Sequence, residues 1–141
     1  MASRGEHLLT PVGARRTFAA ALGMAGVTAN DLSLQEVHDC FSVMAALAVE
    51  ITGLAAPGDG LRYFMTGRAR RDGDCPINTS GGLIAKGHPI SATGVAMIGW
   101  VHQQLLGKVP PELQVAKVQA GATLNIGGPV CSTVATVQRP A

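Results

Sequence analysis

The chain has 141 residues, with 11 Lys and Arg against 9 Asp and Glu for a net charge of +2. This length allows one ordinary domain, and a composition that is 47% apolar and 14% charged excludes an intrinsically disordered protein. The charge is too small for the electrostatic footprint of a nucleic-acid-binding protein, so no nucleic-acid partner is expected. Eighteen glycines indicate tight turns or places where the backbone approaches another group closely.

The cysteine pattern favours a reducing compartment. The three cysteines, Cys40, Cys75 and Cys131, are an odd number without a CxxC pair. Neither a disulfide framework nor a zinc site is therefore expected. Residues 1–13 lack the apolar core of a secretory signal, so we expect a cytoplasmic location.

The first half of the chain predicts a helix, a strand and a second helix. Residues 11–26 begin with proline, end with glycine and place apolar residues at helical spacing. In residues 32–37 apolar and polar residues alternate, which predicts a short strand. Asp39 is a plausible N-cap for a mostly apolar helix over residues 41–52. Residues 53–74, rich in glycine and charge, predict a loop.

An uncharged stretch follows a polar, glycine-rich segment at residues 77–87. Residues 87–107 hold no Lys, Arg, Asp or Glu over 21 positions, but they include two histidines, a proline and two glutamines. Such polar groups are costly in lipid, so we predict no membrane span. A soluble helix over about residues 91–106 that is apolar nearly all round predicts a buried central helix.

The C-terminal part predicts two strands around a turn. Residues 115–120 predict one strand, residues 125–129 a tight glycine turn, and the β-branched run at 130–137 a closing strand. The order of helices and strands indicates an α/β layered fold.

Three places combine reactive side chains with the start of a helix or the end of a strand. They are His38 with Cys40, His88 before the long helix, and the glycine turn that begins at Asn125. A helix N-terminus favours a thiolate or an oxyanion, and a histidine can act as a base or donate to a developing oxyanion. Ordinary alternatives exist, because a histidine can be a capping residue, a cysteine a small buried hydrophobe and a glycine pair only a turn. From residue types alone, a hydrolase that uses Cys40 with either histidine also stays open.

Residues 78–90 resemble the thiolase segment in which an Asn-Pro-Ser-Gly-Gly run leads to Gly-His-Pro. Residues 36–42 resemble the His-Asp-Cys-Phe motif of one thiolase branch, whereas ordinary thiolases carry Asn-Glu-Ala-Phe there. That branch contains the sterol-carrier-protein-type thiolases, related lipid-transfer proteins and steroid side-chain aldolases. Residues 125–127, Asn-Ile-Gly, stand where ordinary thiolases have Cys-x-Gly. The motifs span nearly the whole chain in the family's order.

The resemblance implies that residues 1–141 form a single C-terminal thiolase domain, α-β-α layered, with the long helix in the central layer. The N-terminal half, which carries the nucleophilic cysteine, is absent. The implied function is formation or cleavage of carbon–carbon bonds in acyl-CoA thioesters, with coenzyme A as part of the substrate and no further cofactor. An N-terminal thiolase half or a second copy is the implied partner, and an OB-fold partner protein is possible. Retro-aldol cleavage of steroid side-chain thioesters and a non-catalytic scaffold or acyl-binding subunit are the alternatives, and we expect the chain alone to be inactive.

The same resemblance assigns roles to individual residues. His88 would activate the nucleophile of the missing half and help to bind a thioester oxygen. Cys40 would move a proton at the substrate α-carbon, and His38 would help to form an oxyanion site, either directly or through a water. The implied substrate and oxyanion pocket consists of Gly87, Ser91, Asn125, Gly127 and Gly128.

The chain departs from the family's pattern at three positions. Thr79 replaces the usual proline, Ser91 replaces a glycine, and Pro129 removes one backbone donor. Ser91 either caps the central helix or narrows the pocket. Cys131 is expected to be structural, inside the last strand, and Cys75 receives no role.

Overall fold

The computed structural model describes residues 11–128 and 130–140. The predicted absence of a secretory signal concerns residues that are mostly outside these ranges, and Pro129 also lies outside them. The helices are α1 (Val12–Ala25), α2 (Ser42–Ile51), α3 (Gly60–Met65), α4 (Gly82–Lys86) and α5 (Thr93–Leu105), the strands are β1 (Leu34–Val37), β2 (Gly121–Gly127) and β3 (Ser132–Gln138), and short 3-10 turns lie at Ala29–Asp31 and Pro111–Leu113.

The strands form one sheet in the order β1-β2-β3. β1 runs parallel to β2, with Leu34 opposite Gly121, and β2 runs antiparallel to β3, with Gly121 opposite Gln138. A parallel pair needs a long crossover, which here contains α2, α3, α4 and α5. The carboxyl end of β1 therefore lies beside that of β2.

Helices cover both faces of the sheet, so the α/β layered fold predicted from the sequence is confirmed. On one face α1, α2 and α3 bury the larger core, in which Phe18, Val49 and Leu124 are almost inaccessible to solvent. On the other face α5 packs through Val101 against Leu34. Gly121 permits this approach, because an added Cβ there would lie 2.6 Å from Val101 Cγ1.

Strand alternation places several polar residues on the α5 face. Successive side chains of a strand point to opposite faces, so β1 presents Glu36 on the same face as Leu34. On β2, the residues that alternate with the core-facing Ala122, Leu124 and Ile126 point toward α5. They include Thr123 and Asn125, and they supply the floor of the site described below.

The predicted strand at residues 115–120 is wrong, because the strand begins only at Gly121. Backbone donors before it bond to side chains instead of a neighbouring strand. Val115 N donates to Gln104 Oε1 at 2.9 Å, and Gln119 N donates to Ser33 Oγ at 2.9 Å. Glutamine and serine side chains thus satisfy groups that a strand would have paired.

The predicted glycine turn is displaced along the chain. Asn125 and Gly127 belong to β2 and pair with Val134 and Ser132 of β3. Gly128, Val130 and Cys131 are turn residues, and the last strand begins at residue 132 instead of 130. Cys131 therefore lies exposed in the turn, not inside the strand as expected.

The region predicted as a loop, residues 53–74, contains the short helix α3. Glu50 of α2 holds the start of α3, since its Oε1 accepts a hydrogen bond from Gly60 N at 2.9 Å. The sequence gives little sign of such a helix, because its stabilising contact comes from another element. Asp39 does not cap α2, whose N-cap is Phe41. It bonds instead to α4, as described below.

The central helix α5 is buried on one side only. Thr93, Met97, Val101 and Gln104 face the sheet, but Val95 is 70% exposed. In this chain by itself the sheet covers one side of α5 and the other side is exposed, as expected of a central-layer helix whose second side needs a partner. None of the helices in residues 11–128 and 130–140 is long and apolar enough to cross a membrane.

Candidate active site

Two histidines from distant parts of the sequence meet beyond the carboxyl end of β1. The His38 and His88 rings lie edge to face, with centroids 4.9 Å apart and an interplanar angle of 86°. His38 directly follows β1, and its backbone N–H donates to Leu124 O of β2 at 2.9 Å. His88 follows α4, in the short connection to α5. The sheet thus places one ring, and the α4–α5 connection places the other.

Asn125 orients the His38 ring. The ring Nδ1 lies 2.8 Å from Asn125 Oδ1, and an amide oxygen can only accept, so Nδ1 carries the hydrogen. Burial is the main cause that lowers the pKa of His38, and the His88 charge acts in the same direction, while the Asn125 hydrogen bond and the Asp39 charge oppose them. The neutral form is therefore favoured, and it leaves Nε2 with a free lone pair.

Thr93 orients the His88 ring in the same way. The Thr93 hydroxyl donates to Pro89 O at 3.0 Å, so its oxygen accepts from His88 Nδ1 at 2.8 Å. When the His88 ring is neutral, Nε2 is thus the acceptor. This is the arrangement that a general base needs, with one ring nitrogen held by a fixed partner and the other available.

An open pocket of about 720 Å³ surrounds the histidine pair. Of the eight residues to which the sequence assigns site roles, seven line it: His38, Cys40, His88, Ser91, Asn125, Gly127 and Gly128. Cys40 is a free, half-buried thiol. Gly87 does not line the pocket, but ends α4 with φ 89°, a conformation that favours glycine. Asn125 contributes its side-chain oxygen, whereas we expected the backbone N–H groups of a turn.

Ser91 holds a backbone conformation that ordinarily belongs to glycine. Its φ is 70°, a left-handed value that is unfavourable for a residue with a Cβ. Ser91 does not cap α5, because the N-cap is Ala92 and no side chain bonds there. Ser91 does line the pocket, and the narrowing of the pocket by its side chain stays a prediction.

The segment before α4 fastens the strand end that carries His38. Asn78 Oδ1 accepts from Val37 N at 2.6 Å, and Asn78 Nδ2 donates to Val37 O at 3.0 Å. Thr79, which departs from the family's proline, accepts a hydrogen bond from Trp100 Nε1 at 2.8 Å. The departure therefore has a structural use, since the hydroxyl ties the segment to α5.

Asp39 fastens the beginning of α4 to the same strand end. Its Oδ1 accepts from Leu83 N at 2.7 Å. Gly82 leaves room for this contact, because an added Cβ would lie 2.1 Å from Asp39 Oδ2, and its φ of 65° also favours glycine. The contact joins the residue after His38 to the helix that leads to His88.

Sequence reasoning missed several residues of this site. Thr93 fixes the His88 ring, and Gly94 makes room for Asn125, whose Nδ2 would lie 2.7 Å from an added Cβ. Spacing after Gly-His-Pro would have brought both to notice, since they open the predicted helix. The apolar rim also went unnoticed, and its exposed members are Phe41, Ile90, Val95, Ile98 and Val134.

The other two cysteines lie apart from the pocket lining. Cys75 is buried, and burial is the main cause that raises the pKa of its thiol to about 12. Its backbone carbonyl accepts a hydrogen bond from the Tyr63 hydroxyl at 3.2 Å. Cys75 is thus a buried thiol within the larger core.

A family model described as "Thiolase C-terminal domain-like" matches residues 2–139 of the chain. An acetyl-CoA acetyltransferase of Methanothermobacter thermautotrophicus is 49% identical over 108 residues, which are 77% of this chain and 28% of that protein. Human sterol carrier protein 2 is 40% identical over 111 residues, 78% of this chain and 20% of that protein. The "Benzoylsuccinyl-CoA thiolase subunit BbsB" of Thauera aromatica is 33% identical over 107 residues, 76% of this chain and 28% of that protein.

Among solved structures, the "Ltp2-ChsH2(DUF35) aldolase" matches with a TM-score of 0.74 over 96% of this chain and 33% of that one. At 18% identity this similarity concerns the fold. The chain spans between a fifth and three tenths of the length of the three curated relatives.

Proposed function

The chain belongs to the thiolase C-terminal domain-like family, and from that premise we propose that it forms the histidine-bearing half of an acyl-CoA thiolase site. It would make or break carbon–carbon bonds in acyl-CoA thioesters when an N-terminal thiolase half supplies the nucleophilic cysteine. Coenzyme A is part of the substrate in this proposal, and no further cofactor is involved. The half-buried thiol of Cys40 suits a reducing compartment such as the cytoplasm.

The observation that carries the proposal is the pair of imidazoles at 4.9 Å, each held through Nδ1 by a fixed acceptor. Both rings face one pocket together with the Cys40 thiol. A structural histidine needs only one satisfied contact, whereas two neighbouring rings with free Nε2 positions supply a base at His88 and, at His38, an acceptor that can hold an oxyanion-binding water.

In the proposed thiolysis, His88 Nε2 takes the proton of the partner's cysteine, and the thiolate attacks the β-keto carbon of the substrate. The bond between the α- and β-carbons breaks, and its electron pair remains on the α-carbon. Cys40 protonates that carbon, which releases acetyl-CoA from an unbranched substrate, while the shortened acyl group stays as a thioester on the partner's cysteine. A second coenzyme A gives its thiol proton to the Cys40 thiolate and attacks this thioester, and the partner's cysteine leaves and takes its proton back from His88. His38 Nε2, which carries the lone pair, would accept a hydrogen bond from a water, and this water would donate its other hydrogen to the thioester oxygen that develops negative charge.

The rim of the pocket supports a partner on the α5 side. Ile90 is 87% exposed and Val95 70% exposed, and both line the pocket mouth. Contiguous exposed apolar side chains around a site are typical of an interaction surface. An N-terminal thiolase half placed here would close the pocket and bring its nucleophile toward His88. A second copy of the chain and an OB-fold protein remain alternatives as partners.

The test is complementation. The purified chain, an N-terminal thiolase half and their mixture are assayed for thiolysis of acetoacetyl-CoA. We expect that only the mixture shows turnover. A mixture that contains His88→Ala should turn over roughly 10²- to 10⁴-fold more slowly, since general acid–base catalysis contributes about that much. Thr93→Val should lose activity as well, because the ring would no longer be held by Nδ1.

Three outcomes contradict the proposed thiolysis. Turnover by the chain alone would show that the nucleophile lies within it, and Cys40 would then be the candidate. A mixture that binds but stays inactive on both acetoacetyl-CoA and a β-hydroxyacyl-CoA would favour a scaffold or acyl-binding role. Cleavage of the β-hydroxyacyl-CoA alone would identify a retro-aldolase.

A further inference from the structure

A buried carboxylate lies on β1, two residues before His38. The Glu36 side chain on β1 is only 1% exposed. Its Oε1 accepts from Ser80 N at 3.1 Å, and its Oε2 accepts a short hydrogen bond from the Ser80 hydroxyl. Lys86 Nζ lies 3.5 Å from the same Oε2 and donates to Ser80 Oγ at 2.6 Å. The Glu36 carboxylate thus contacts both Ser80 and Lys86.

The sequence offsets relate this cluster to the site. Glu36 lies two residues before His38, and Lys86 lies two residues before His88. Ser80 precedes α4, and Lys86 is its last residue. Glu36 therefore holds both ends of the segment that leads to His88, and it does so from the strand that leads to His38.

Stability alone does not account for this arrangement. Burial is the main cause that raises the pKa of Glu36, and the Ser80 hydrogen bonds and the Lys86 charge oppose it. Burying an ion pair commonly costs as much as it returns, and apolar residues of similar size are often as stable. A role in positioning the two histidine rings would explain why the chain has this cluster.

We infer that Glu36 is a positioning residue, which fixes His88 relative to His38 by holding Ser80 and Lys86 against the end of β1. The catalytic part of this role rests on the proposed function. The effect of Glu36 on the distance between the His38 and His88 rings does not, because that geometry can be measured without turnover. Lys86 is the charged side chain that acts on Glu36 in the described part of the chain, and Asp39 and His88 are those that act on His38.

The experiment follows the histidine rings of the full chain by NMR between about pH 4 and 8, a range that contains the ordinary pKa values of glutamate and histidine. Two signals are measured: the cross-relaxation between the His38 and His88 ring protons, and the pH dependence of each ring's chemical shift. Glu36→Gln keeps the shape of the side chain and removes its charge. Glu50→Gln is the matched control, because Glu50 is also buried and accepts a backbone hydrogen bond, from Gly60.

We expect wild type to show, besides each ring's own titration, a second inflection above the ordinary glutamate pKa of about 4.3, where Glu36 protonates and the cross-relaxation weakens. Glu36→Gln should lack this inflection and show weak cross-relaxation throughout, while Glu50→Gln matches wild type. Lys86→Met should move the inflection to higher pH, because a cation that favours the carboxylate is removed.

Wild-type ring signals in both Glu36→Gln and Lys86→Met would overturn the inference. If Glu36→Gln does not fold, Lys86→Met decides, since its side chain is 26% exposed and the carboxylate stays in place. In a complex that proves active, the positioning role predicts a lower kcat with little change in KM for Glu36→Gln. An inactive complex would contradict the proposed function and leave the ring measurements valid.

Discussion

Replacing Ser91 with glycine should stabilise the chain. Ser91 has φ 70° and lies on the pocket wall. A residue with a Cβ in the left-handed region is disfavoured by about 1–2 kcal/mol, a cost that glycine does not have. No side-chain cap at the start of α5 would be lost, because Ser91 forms none.

The magnitude follows from two opposing terms. Relief of the left-handed strain is offset by the larger backbone entropy of glycine in the unfolded chain, about 0.4–1 kcal/mol. The net gain is about 0.5–1 kcal/mol in the free energy of unfolding. An unfolding entropy of about 2.1 cal/mol/K per residue turns this into a rise of about 2–3 °C in the thermal midpoint for a chain of 141 residues.

Calorimetry or circular dichroism measures the shift in the thermal midpoint. Ser91→Ala should leave the midpoint nearly unchanged, because alanine keeps the Cβ and hence the strain. Lys117→Gly is a matched comparison away from the pocket, since Lys117 has φ 51°. A lower midpoint for Ser91→Gly, or equal gains for glycine and alanine, would refute the reasoning and point to a hydroxyl contact that stabilises the fold.

Three further predictions concern pH, packing and thiol chemistry. The pKa of His38 is lowered in the folded chain. The stability that comes from keeping this ring neutral is therefore complete above the unfolded pKa of about 6.5 and is lost as pH falls through the folded pKa. The thermal midpoint, measured against pH, should fall accordingly in wild type and should fall less in His38→Asn. Gly82→Ala should destabilise by about 2–4 kcal/mol, because its Cβ would lie 2.1 Å from a buried carboxylate oxygen at φ 65°. Gly99→Ala, in a helix with nothing within 4 Å, should instead stabilise by about 1 kcal/mol. Iodoacetamide followed by peptide mass mapping should label the exposed Cys131 and leave Cys75, with its thiol pKa near 12, unmodified in the folded chain.

Each of these predictions has a clear contrary result. A pH dependence that is the same in wild type and His38→Asn would mean that another group causes it. Equal stability of the two glycine variants would show that the contact at Gly82 is not tight. Labelling of Cys75 as fast as Cys131 would show that the region around Cys75 opens readily.

The short motifs determined the family and most of the site from sequence. His38, Cys40 and His88 stand in patterns that are specific because several residue types recur at fixed spacing. The order of helices and strands was also legible, since apolar periodicity reflects which side of an element is buried. Those local signals sufficed to predict the α/β layers.

Only the tertiary structure decided which groups hold the site together. Thr93 and Asn125 orient the two histidines through contacts that depend on how α5 and β2 approach each other. Glu36 and Ser80 form a hydrogen bond although they are 44 positions apart in the sequence, and no local sequence pattern predicts a contact over such a separation.

The wrong strand at residues 115–120 and the exposed side of the long helix share one physical cause. Residues 115–120 are apolar enough for a strand, but Gln104 and Ser33 take their backbone hydrogen bonds. The long helix is apolar enough to be buried all round, yet Val95 stays exposed because no other part of the described chain covers it. The apolar composition of a segment thus indicates that its side chains need to be buried, whereas the folded arrangement decides which neighbouring segment buries them.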